Sequence, residues 1–336
     1  MSKEVVTVDI GGTHARFAIA ERQADGSIVL NGPTTLHTGD HASFQTAWEE
    51  YRRQQGGNLP RAVAMAIAGP VGGPENPNQI IRFTNNPWII RPALIAAKLD
   101  VDRHTLVNDF EAVAHAVARA PGDQFLHLTG PDKPLGATGT ISVLGPGTGL
   151  GVAHLWRGPD GAYHVQATEG GHIDFAPLDR IEDAILARLR RRHNRVSVER
   201  VVAGPAICDI YQTLAALEGR AIADVDDVTL WTRGMEQTDS LAAAAVDRFC
   251  LSLGSVAGDI ALAQGGFAGV VIAGGLGLRL RDTLLQSGFA ERFRAKGRFE
   301  HLMRSIPVKL ITMSQPGLFG AAAAFFSKHG ADRCAT

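Results

Sequence analysis

Hydrophobic and polar positions along the chain alternate between short β-branched runs and longer segments with helical spacing. The first run predicts a strand over 5–10, which breaks at Gly11-Gly12 and returns as a second strand over 15–20. Apolar side chains at i, i+3, i+4 and i+7 then predict a helix over 43–55. The same reasoning predicts further strands at 27–31, 62–68, 105–107, 140–144, 150–156, 163–167, 270–273 and 308–313, and further helices over 91–99, 110–119, 181–192, 198–203, 206–217, 240–264 and 316–327.

The opening arrangement of two strands around a glycine turn occurs a second time. Residues 140–144 form the predicted outgoing strand, 145–149 the glycine turn and 150–156 the return strand. Two such starts indicate the internal duplication of one α/β unit. Alternating strands and helices favour an α/β fold with mixed sheets, in two closely packed lobes with a cleft between them.

Length and charge narrow the class of protein. A chain of 336 residues with 45% hydrophobic residues suits two lobes, each with a substantial core. Lysine and arginine number 33 against 34 acidic residues, for a net charge of −1. Because the chain has neither a basic excess nor a basic run, we expect no nucleic-acid partner.

Targeting signals and cysteine usage bear on location. The first residues lack the apolar segment of a secretory signal, and Gly, Pro or charge interrupts every apolar run, so we expect no membrane span. The cysteines Cys208, Cys250 and Cys334 are odd in number and have no C-x-x-C spacing. This usage favours reduced thiols, and we expect a cytoplasmic protein.

The first glycine turn carries a carboxylate and a hydroxyl. Asp9 ends the first strand, Gly11 and Gly12 form the turn, and Thr13 follows. Glycines permit backbone conformations that aim N–H groups at a phosphate, Thr13 offers a hydroxyl donor, and Asp9 is suited to hold Mg²⁺ through water. An ordinary hairpin turn explains the same residues equally well.

Two further glycine patches follow strands. Gly147, Thr148 and Gly149 lie in the turn of the second hairpin, and Gly274 and Gly275 follow a late strand. The second patch does not open a helix, as a dinucleotide fingerprint would, and no G-K-[ST] follows. The late patch alone is more typical of a tight strand exit. The ordered set of three patches favours phosphate binding.

Polar side chains stand at a predicted strand end and at a tight turn. Asp109, after Asn108, either caps the following helix or accepts a proton from an attacking hydroxyl. Glu169 and His172 offer hydrogen-bonding groups of the kind that sugar hydroxyls need, although a lone histidine is more often structural. Glu199 is by default an acid in the first turn of a helix.

Together these segments resemble the bacterial glucokinase family. The resemblance runs in order from about residue 5 to 327. It rests on DIGGT at 9–13, TNNPW at 84–88, LVNDF at 106–110, LGPGTGLGVAHL at 144–155, EGGHIDFAP at 169–177, SVERVVAGP at 197–205, GGFAGVVIAGG at 265–275, QSGF at 286–289, KGRF at 296–299 and PGLFGAAA at 316–323.

The resemblance implies the ribonuclease H-like, actin/hexokinase-type ATPase fold. It implies a small α/β lobe of residues 1–119 plus 315–336 and a large α/β lobe of residues 120–314. The implied activity is transfer of the γ-phosphate of ATP to glucose, giving glucose 6-phosphate, with Mg²⁺ as cofactor. Relatives imply a homodimer. A kinase for another hexose, or a sugar sensor without catalysis, are the alternatives.

The resemblance also implies roles for individual residues. Asp109 is the implied general base. The implied sugar ligands are Asn85, Asn108, Asp109, Glu169, His172 and Glu199. The implied nucleotide residues are Asp9 (with Mg²⁺ through water), Gly11, Gly12, Thr13, His14, Gly147, Thr148, Gly149, Gly274 and Gly275.

One residue departs from the usual glucokinase pattern, and one feature distinguishes the chain from the related ROK kinases. His14 stands where the family usually has Asn; an imidazole donates to phosphate but titrates near neutrality, so we expect altered nucleotide affinity or pH dependence. The zinc-binding cysteine cluster of the related ROK kinases does not occur, which favours the zinc-free glucokinase branch.

Overall fold

Strands and helices alternate along the computed structural model, which describes residues 3–69, 71, 79–83 and 86–330. The strands are β1 (Glu4–Ile10), β2 (His14–Arg22), β3 (Ile28–His37), β4 (Ala62–Ile67), β5 (Ile81–Arg82), β6 (Ile89–Ile90), β7 (Arg103–Asn108), β8 (Phe125–Thr129), β9 (Gly139–Pro146), β10 (Leu150–Arg157), β11 (Tyr163–Thr168), β12 (Gly269–Ile272) and β13 (Val308–Ile311). The α-helices are α1 (Phe44–Gln54), α2 (Ile95–Leu99), α3 (Asp109–Arg119), α4 (Arg180–Arg190), α5 (Ala206–Leu217), α6 (Asp227–Met235), α7 (Ser240–Gln264), α8 (Gly274–Arg279), α9 (Arg281–Gln286), α10 (Phe289–Arg294), α11 (Glu300–Arg304) and α12 (Pro316–Gly330). Short 3₁₀ turns lie at Thr38–Asp40, Pro92–Leu94, Gly122–Gln124, Gly170–His172, Val198–Arg200 and Gly297–Phe299.

The chain divides into two compact units. The first consists of Met1–Ala120 with Met313–Thr336, and the second of Pro121–Thr312. The sequence placed the corresponding boundaries at 119/120 and 314/315.

The first unit is built on a five-stranded mixed sheet in the order β3-β2-β1-β4-β7. Strands β1, β4 and β7 run parallel, whereas β2 and β3 form an antiparallel meander with β1. Ile10, Ile67 and Asn108 are in register across the parallel strands. The carboxyl ends of three strands therefore lie side by side, which is where ligands commonly bind in α/β sheets.

Apolar side chains form two separate cores in the first unit. One core contains aromatic residues of α1, among them Phe44, Trp48 and Tyr51. The other contains residues of α3 and α12, including Ala112 and Phe325. Small residues let these two helices pack closely: a Cβ added at Gly320 would lie 1.7 Å from the carbonyl oxygen of Ala112.

The second unit repeats the sheet topology of the first. Its order is β11-β10-β9-β12-β13-β8, with β9, β12 and β13 parallel and β9-β10-β11 an antiparallel meander. Strand β8 is an addition that pairs antiparallel with β13. Matching order and direction in the two units agree with the predicted duplication, and the mixed sheets confirm the predicted α/β class.

The long helix α7 lies in the core of the second unit. By length and composition alone it could cross a membrane, whereas the sequence predicts no membrane span. However, 72% of its apolar window is buried within the structure. Asp239 accepts hydrogen bonds from the backbone amides of Leu241 and Ala242 at its start, and Gly265 ends it in a left-handed conformation.

One predicted helix is wrong, and some elements of the structure were not predicted. The helix predicted over 198–203 is wrong, because these residues form a 3₁₀ turn at Val198–Arg200. Its valines are β-branched and Gly204-Pro205 follows, so the segment has neither the propensity nor the length for an α-helix. Strand β8 and helix α6 were not predicted. Cys208 and Cys250 are free thiols, and Cys334 lies outside the described residues.

Candidate active site

The carbonyl groups of the first glycine turn accept hydrogen bonds from other parts of the protein. The carbonyl oxygen of Gly11 accepts from the side-chain amide of Asn86 at 3.3 Å, and that of Gly12 from the hydroxyl of Thr38 at 2.8 Å. The carbonyl of Thr13 accepts from the backbone amide of Thr38 at 2.9 Å. Since C=O and N–H point in opposite directions across a trans peptide, the amides of Gly12 and Thr13 face away from these partners. Such neighbouring amides form a cradle for an anion.

Asp9 lies beside this cradle, at the carboxyl end of β1. Arg16, its cross-strand partner, places Nη1 3.4 Å from Asp9 Oδ2. Burial raises the pKa of Asp9 above its ordinary value, although the charge and hydrogen bond of Arg16 act in the opposite sense. A Cβ at Gly317, in the first turn of α12, would lie 2.8 Å from the carboxylate, so the close approach requires glycine there.

Asn108 and Asp109 stand at the junction of β7 and α3. The Asn108 side-chain oxygen accepts from the amides of Phe110 at 2.8 Å and Glu111 at 3.3 Å, and Glu111 Oε2 accepts from the Asn108 amide in return. This capping box makes Asn108 the N-cap of the helix. Asp109 Oδ1 also accepts from the Phe110 amide, at 2.8 Å. The helix therefore has its cap without the carboxylate of Asp109, which is half-buried at the carboxyl edge of the sheet.

The second glycine turn is held by backbone and by one carboxylate. The Gly147 amide donates to the Gly149 carbonyl at 2.8 Å, and the Gly147 carbonyl accepts from the Gly204 amide at 2.7 Å. Glu199 Oε2 accepts from the amide of Leu150 at 2.9 Å. Thr148, at the tip, is exposed, and its amide points away from Gly204 because it shares a trans peptide with the Gly147 carbonyl.

Glu169 precedes the 3₁₀ turn Gly170–His172 in the same unit, and His172 ends it. Their side chains are exposed, and His172 Nε2 lies 3.9 Å from Glu169 Oε2. The turn packs against the start of β10, where a Cβ at Gly171 would lie 2.2 Å from the carbonyl oxygen of Leu150. Leu150 thus brings this turn, Glu199 and the second glycine turn into one neighbourhood.

Gly274 and Gly275 begin helix α8, after strand β12. Gly274 has φ +84°, and a Cβ there would lie 2.9 Å from the carbonyl oxygen of Pro146. The third glycine patch therefore lies next to the second glycine turn within the second unit.

The glycines of the three patches differ in backbone conformation. Gly11, Gly147 and Gly149 do not have the left-handed φ that favours glycine. At Gly149 a Cβ would lie 2.4 Å from Glu199 Oε2, so this glycine leaves room for the carboxylate. Gly274, by contrast, has a left-handed φ.

Several residues around the first glycine turn were missed in the sequence. Arg16 could have been found from hairpin register, since a turn over 11–14 pairs it with Asp9. Thr38 and Gly317 have no comparable signal, because their contacts span long stretches of chain. His14 forms an edge-to-face contact with His37, with ring centroids 5.4 Å apart. Asn85 lies outside the described residues.

A divalent cation and phosphates fit the groups present. Among the described residues, no group of three or more His, Cys, Asp or Glu side chains could hold a metal ion. The single carboxylate of Asp9 has the hard oxygen donors that suit a Mg²⁺ that keeps most of its water. Its place beside the amides of Gly12 and Thr13 suits a phosphate-bound ion.

Comparison with known proteins gives one consistent result. The glucokinase family profile matches residues 6–328. A glucokinase of Zymomonas mobilis is 56% identical over 326 residues, 97% of this chain and 98% of the relative. A glucokinase of Caulobacter vibrioides is 41% identical over 319 residues, 94% of this chain and 93% of the relative. The crystal structure of a glucokinase from an Antarctic psychrotroph superposes with a TM-score of 0.84 at 31% identity, covering 96% of this chain and 99% of that one.

The duplicated α/β units and their glycine turns define a sugar kinase of the actin/hexokinase-type fold. The chain belongs to the glucokinase family. This membership confirms the predicted enzyme class, an ATP-dependent hexose kinase, and the predicted activity on glucose.

Proposed function

We propose that the protein transfers the γ-phosphate of ATP to the 6-hydroxyl of glucose, with Asp109 as general base and Mg²⁺ as cofactor. The observation that carries this proposal is the junction of β7 and α3. Asn108 supplies the helix cap there, so a capping role does not account for a half-buried carboxylate at position 109. Phosphoryl transfer needs one positioned base, and the rest of the catalysis is positioning and charge stabilisation.

The nucleotide phosphates are the proposed ligands of the glycine turns. In the first unit, the outward amides of Gly12 and Thr13 and the hydroxyl of Thr13 suit phosphate oxygens. In the second unit, the Gly147–Gly149 turn and the neighbouring Gly274-Gly275 provide the same kind of backbone surface. Mg²⁺, held through water by Asp9, would neutralise charge that develops on the transferred phosphoryl group.

Sugar hydroxyls are the proposed ligands of polar side chains in each unit. Asn108 and Asp109 are the proposed sugar residues of the first unit, together with Asn85. Glu169, His172 and Glu199 are those of the second. Carboxylates, an amide and an imidazole accept and donate to hydroxyls, so a site built from them rejects sugars that lack or invert one hydroxyl.

Assembly and location complete the proposal. We infer a homodimer and a cytoplasmic enzyme, as the resemblance to the glucokinase family implies. Free Cys208 and Cys250 suit a reducing compartment.

The base assignment is tested by Asp109→Asn, which keeps the shape and the hydrogen bond from the Phe110 amide but cannot accept a proton. Coupled assays of glucose-dependent turnover should show kcat reduced by about 10²- to 10⁴-fold, with a small change in the KM for glucose. A matched control is Asp183→Asn, which removes an exposed carboxylate from the first turn of α4. We expect the control to keep parental turnover.

Different results would contradict the base assignment, the proposed substrate and the proposed catalytic activity. Turnover of Asp109→Asn within tenfold of the parent contradicts the base assignment. Faster turnover with mannose or an N-acetylated amino sugar than with glucose would contradict the proposed substrate. Sugar binding without ATP turnover by the parent would favour a sensor.

A further inference from the structure

The carboxylate of Glu199 lies directly over the peptide that closes the second glycine turn. Its Oε2 accepts from the Leu150 amide at 2.9 Å and would lie 2.4 Å from a Cβ at Gly149. This hydrogen bond has a charged acceptor, the stronger kind in proteins. Among the described residues, none donates a hydrogen bond to the other oxygen, Oε1. One carboxylate oxygen is thus used within the protein, and the other remains available to a ligand.

The other side of the same peptide is fixed by the turn that carries Glu169 and His172. Gly171 packs so closely on the Leu150 carbonyl that a Cβ there would lie 2.2 Å from its oxygen. The amide of Leu150 is therefore held by Glu199, and its carbonyl abuts the Gly170–His172 turn. Any displacement of Glu199 or of that turn acts on Leu150, and through it on Gly149.

The opposite end of the glycine turn is held by backbone. The Gly147 carbonyl accepts from the Gly204 amide, and Gly204 in turn accepts from Trp231 Nε1 at 2.9 Å. Glu199 and Gly204 belong to one short stretch that begins with the 3₁₀ turn Val198–Arg200. Substituting Glu199 changes the Leu150 end of the turn and leaves this backbone anchor in place.

We propose that Glu199 is a positioning residue for the second phosphate turn, in addition to its proposed contact with the sugar. This rests on the proposed function, because it takes Gly147–Gly149 as a phosphate-binding turn. A sugar hydroxyl on Oε1 would restrain the carboxylate whose other oxygen holds Leu150. Glu199 therefore couples binding of the sugar to binding of the nucleotide within one unit.

Three variants separate the two roles of Glu199. Glu199→Ala removes both oxygens, whereas Glu199→Gln keeps an oxygen that can accept from the Leu150 amide. The matched control is Glu169→Ala, which removes a proposed sugar ligand that makes no contact with the Leu150 amide. For each, we would measure the KM for ATP at saturating glucose, the Kd of Mg²⁺-AMP-PNP by calorimetry, and hydrogen–deuterium exchange of residues 147–151.

The expected results differ between the variants. Glu199→Ala should raise the KM for ATP and the Kd for AMP-PNP about tenfold, the effect of losing one hydrogen bond to a charged acceptor. It should also speed amide exchange at 147–151. Glu199→Gln should restore exchange and nucleotide affinity to within about threefold of the parent while its KM for glucose stays raised. Glu169→Ala should raise the KM for glucose and leave the AMP-PNP affinity unchanged.

Either of two results would overturn the coupling. One is a Glu199→Ala protein with parental AMP-PNP affinity and parental exchange. The other is a Glu169→Ala protein with an equal loss of AMP-PNP affinity, which would point to general disorder of the site. A parent protein with no glucose-dependent turnover refutes the proposed function instead, so the two failures are distinguishable.

Discussion

A buried charge network in the second unit gives a quantitative prediction about stability. Glu182, 1% exposed, lies in α4, and its carboxylate is within 3.6 Å of Arg248 and 3.3 Å of Arg292. It also accepts from the amide of Leu178 at 2.7 Å and from the hydroxyl of Ser252 at 3.2 Å. Glu182→Gln preserves the size of this side chain but removes its charge and turns an amide donor toward the guanidinium groups.

The size of the effect follows from burial. Removing one partner of a buried ion pair costs about 3–5 kcal/mol, because the remaining charge loses its compensation. Asp179 still contacts both arginines, so we expect the lower end, about 3 kcal/mol. For a unit of this size, that loss corresponds to a fall in Tm of about 6–12 °C.

The assay is thermal and urea unfolding of Glu182→Gln beside Glu50→Gln. Glu50 also pairs with an arginine, Arg53, but on the exposed face of α1, where ion pairs contribute little. We expect the control to unfold at the parental temperature. Equal and small shifts for both variants would show that water reaches the Glu182 network, and the reasoning from burial would be wrong.

Two further predictions follow from other contacts. Gly320→Ala should lower the free energy of unfolding by about 3 kcal/mol, because its Cβ would meet backbone of α3; urea unfolding that matches the parent would show that the helices separate at no cost. Burial alone would raise the pKa of Asp179, but the Glu182 amide and the two arginines lower it below the usual 3.8. The stability that this carboxylate contributes is therefore present above pH 3.8 and is lost as pH falls through the lowered pKa. Asp179→Asn retains a helix-capping side chain but not the charge. In urea unfolding, its free energy of unfolding should be lower than that of the parent at pH 7 and should approach the parental value in acid.

Local signals explain why some elements were predictable. Helix α7 matches its predicted range, 240–264, because a capping aspartate precedes it and a left-handed glycine ends it. Helix α5 matches as well, at Ala206–Leu217. The hairpin β1–β2 was visible from its β-branched run and its glycine turn. In each case the determinant lies within a few residues of the element itself.

Other elements depend on partners far along the chain. Strand β8 lies in a Gly- and Pro-rich region, and its only strand partner among the described residues is β13, about 180 residues later. The sequence alone predicts an ordinary first-turn acid at Glu199, because the contact with Leu150 spans 49 positions. Residue types could suggest that Glu199 binds a ligand, but they could not show that it also holds a glycine turn.

Each unit has a carboxylate that packs against a glycine near its glycine turn. In the first unit, the carboxylate of Asp9 lies beside a glycine turn and packs against Gly317, where a Cβ would be 2.8 Å away. In the second, the carboxylate of Glu199 packs against Gly149, at 2.4 Å from such a Cβ. In both places an acidic side chain fills the space that a Cβ on the glycine would take. A glycine in these motifs therefore reports the position of a carboxylate as much as that of a phosphate, and substitutions at either glycine act first on the acid beside it.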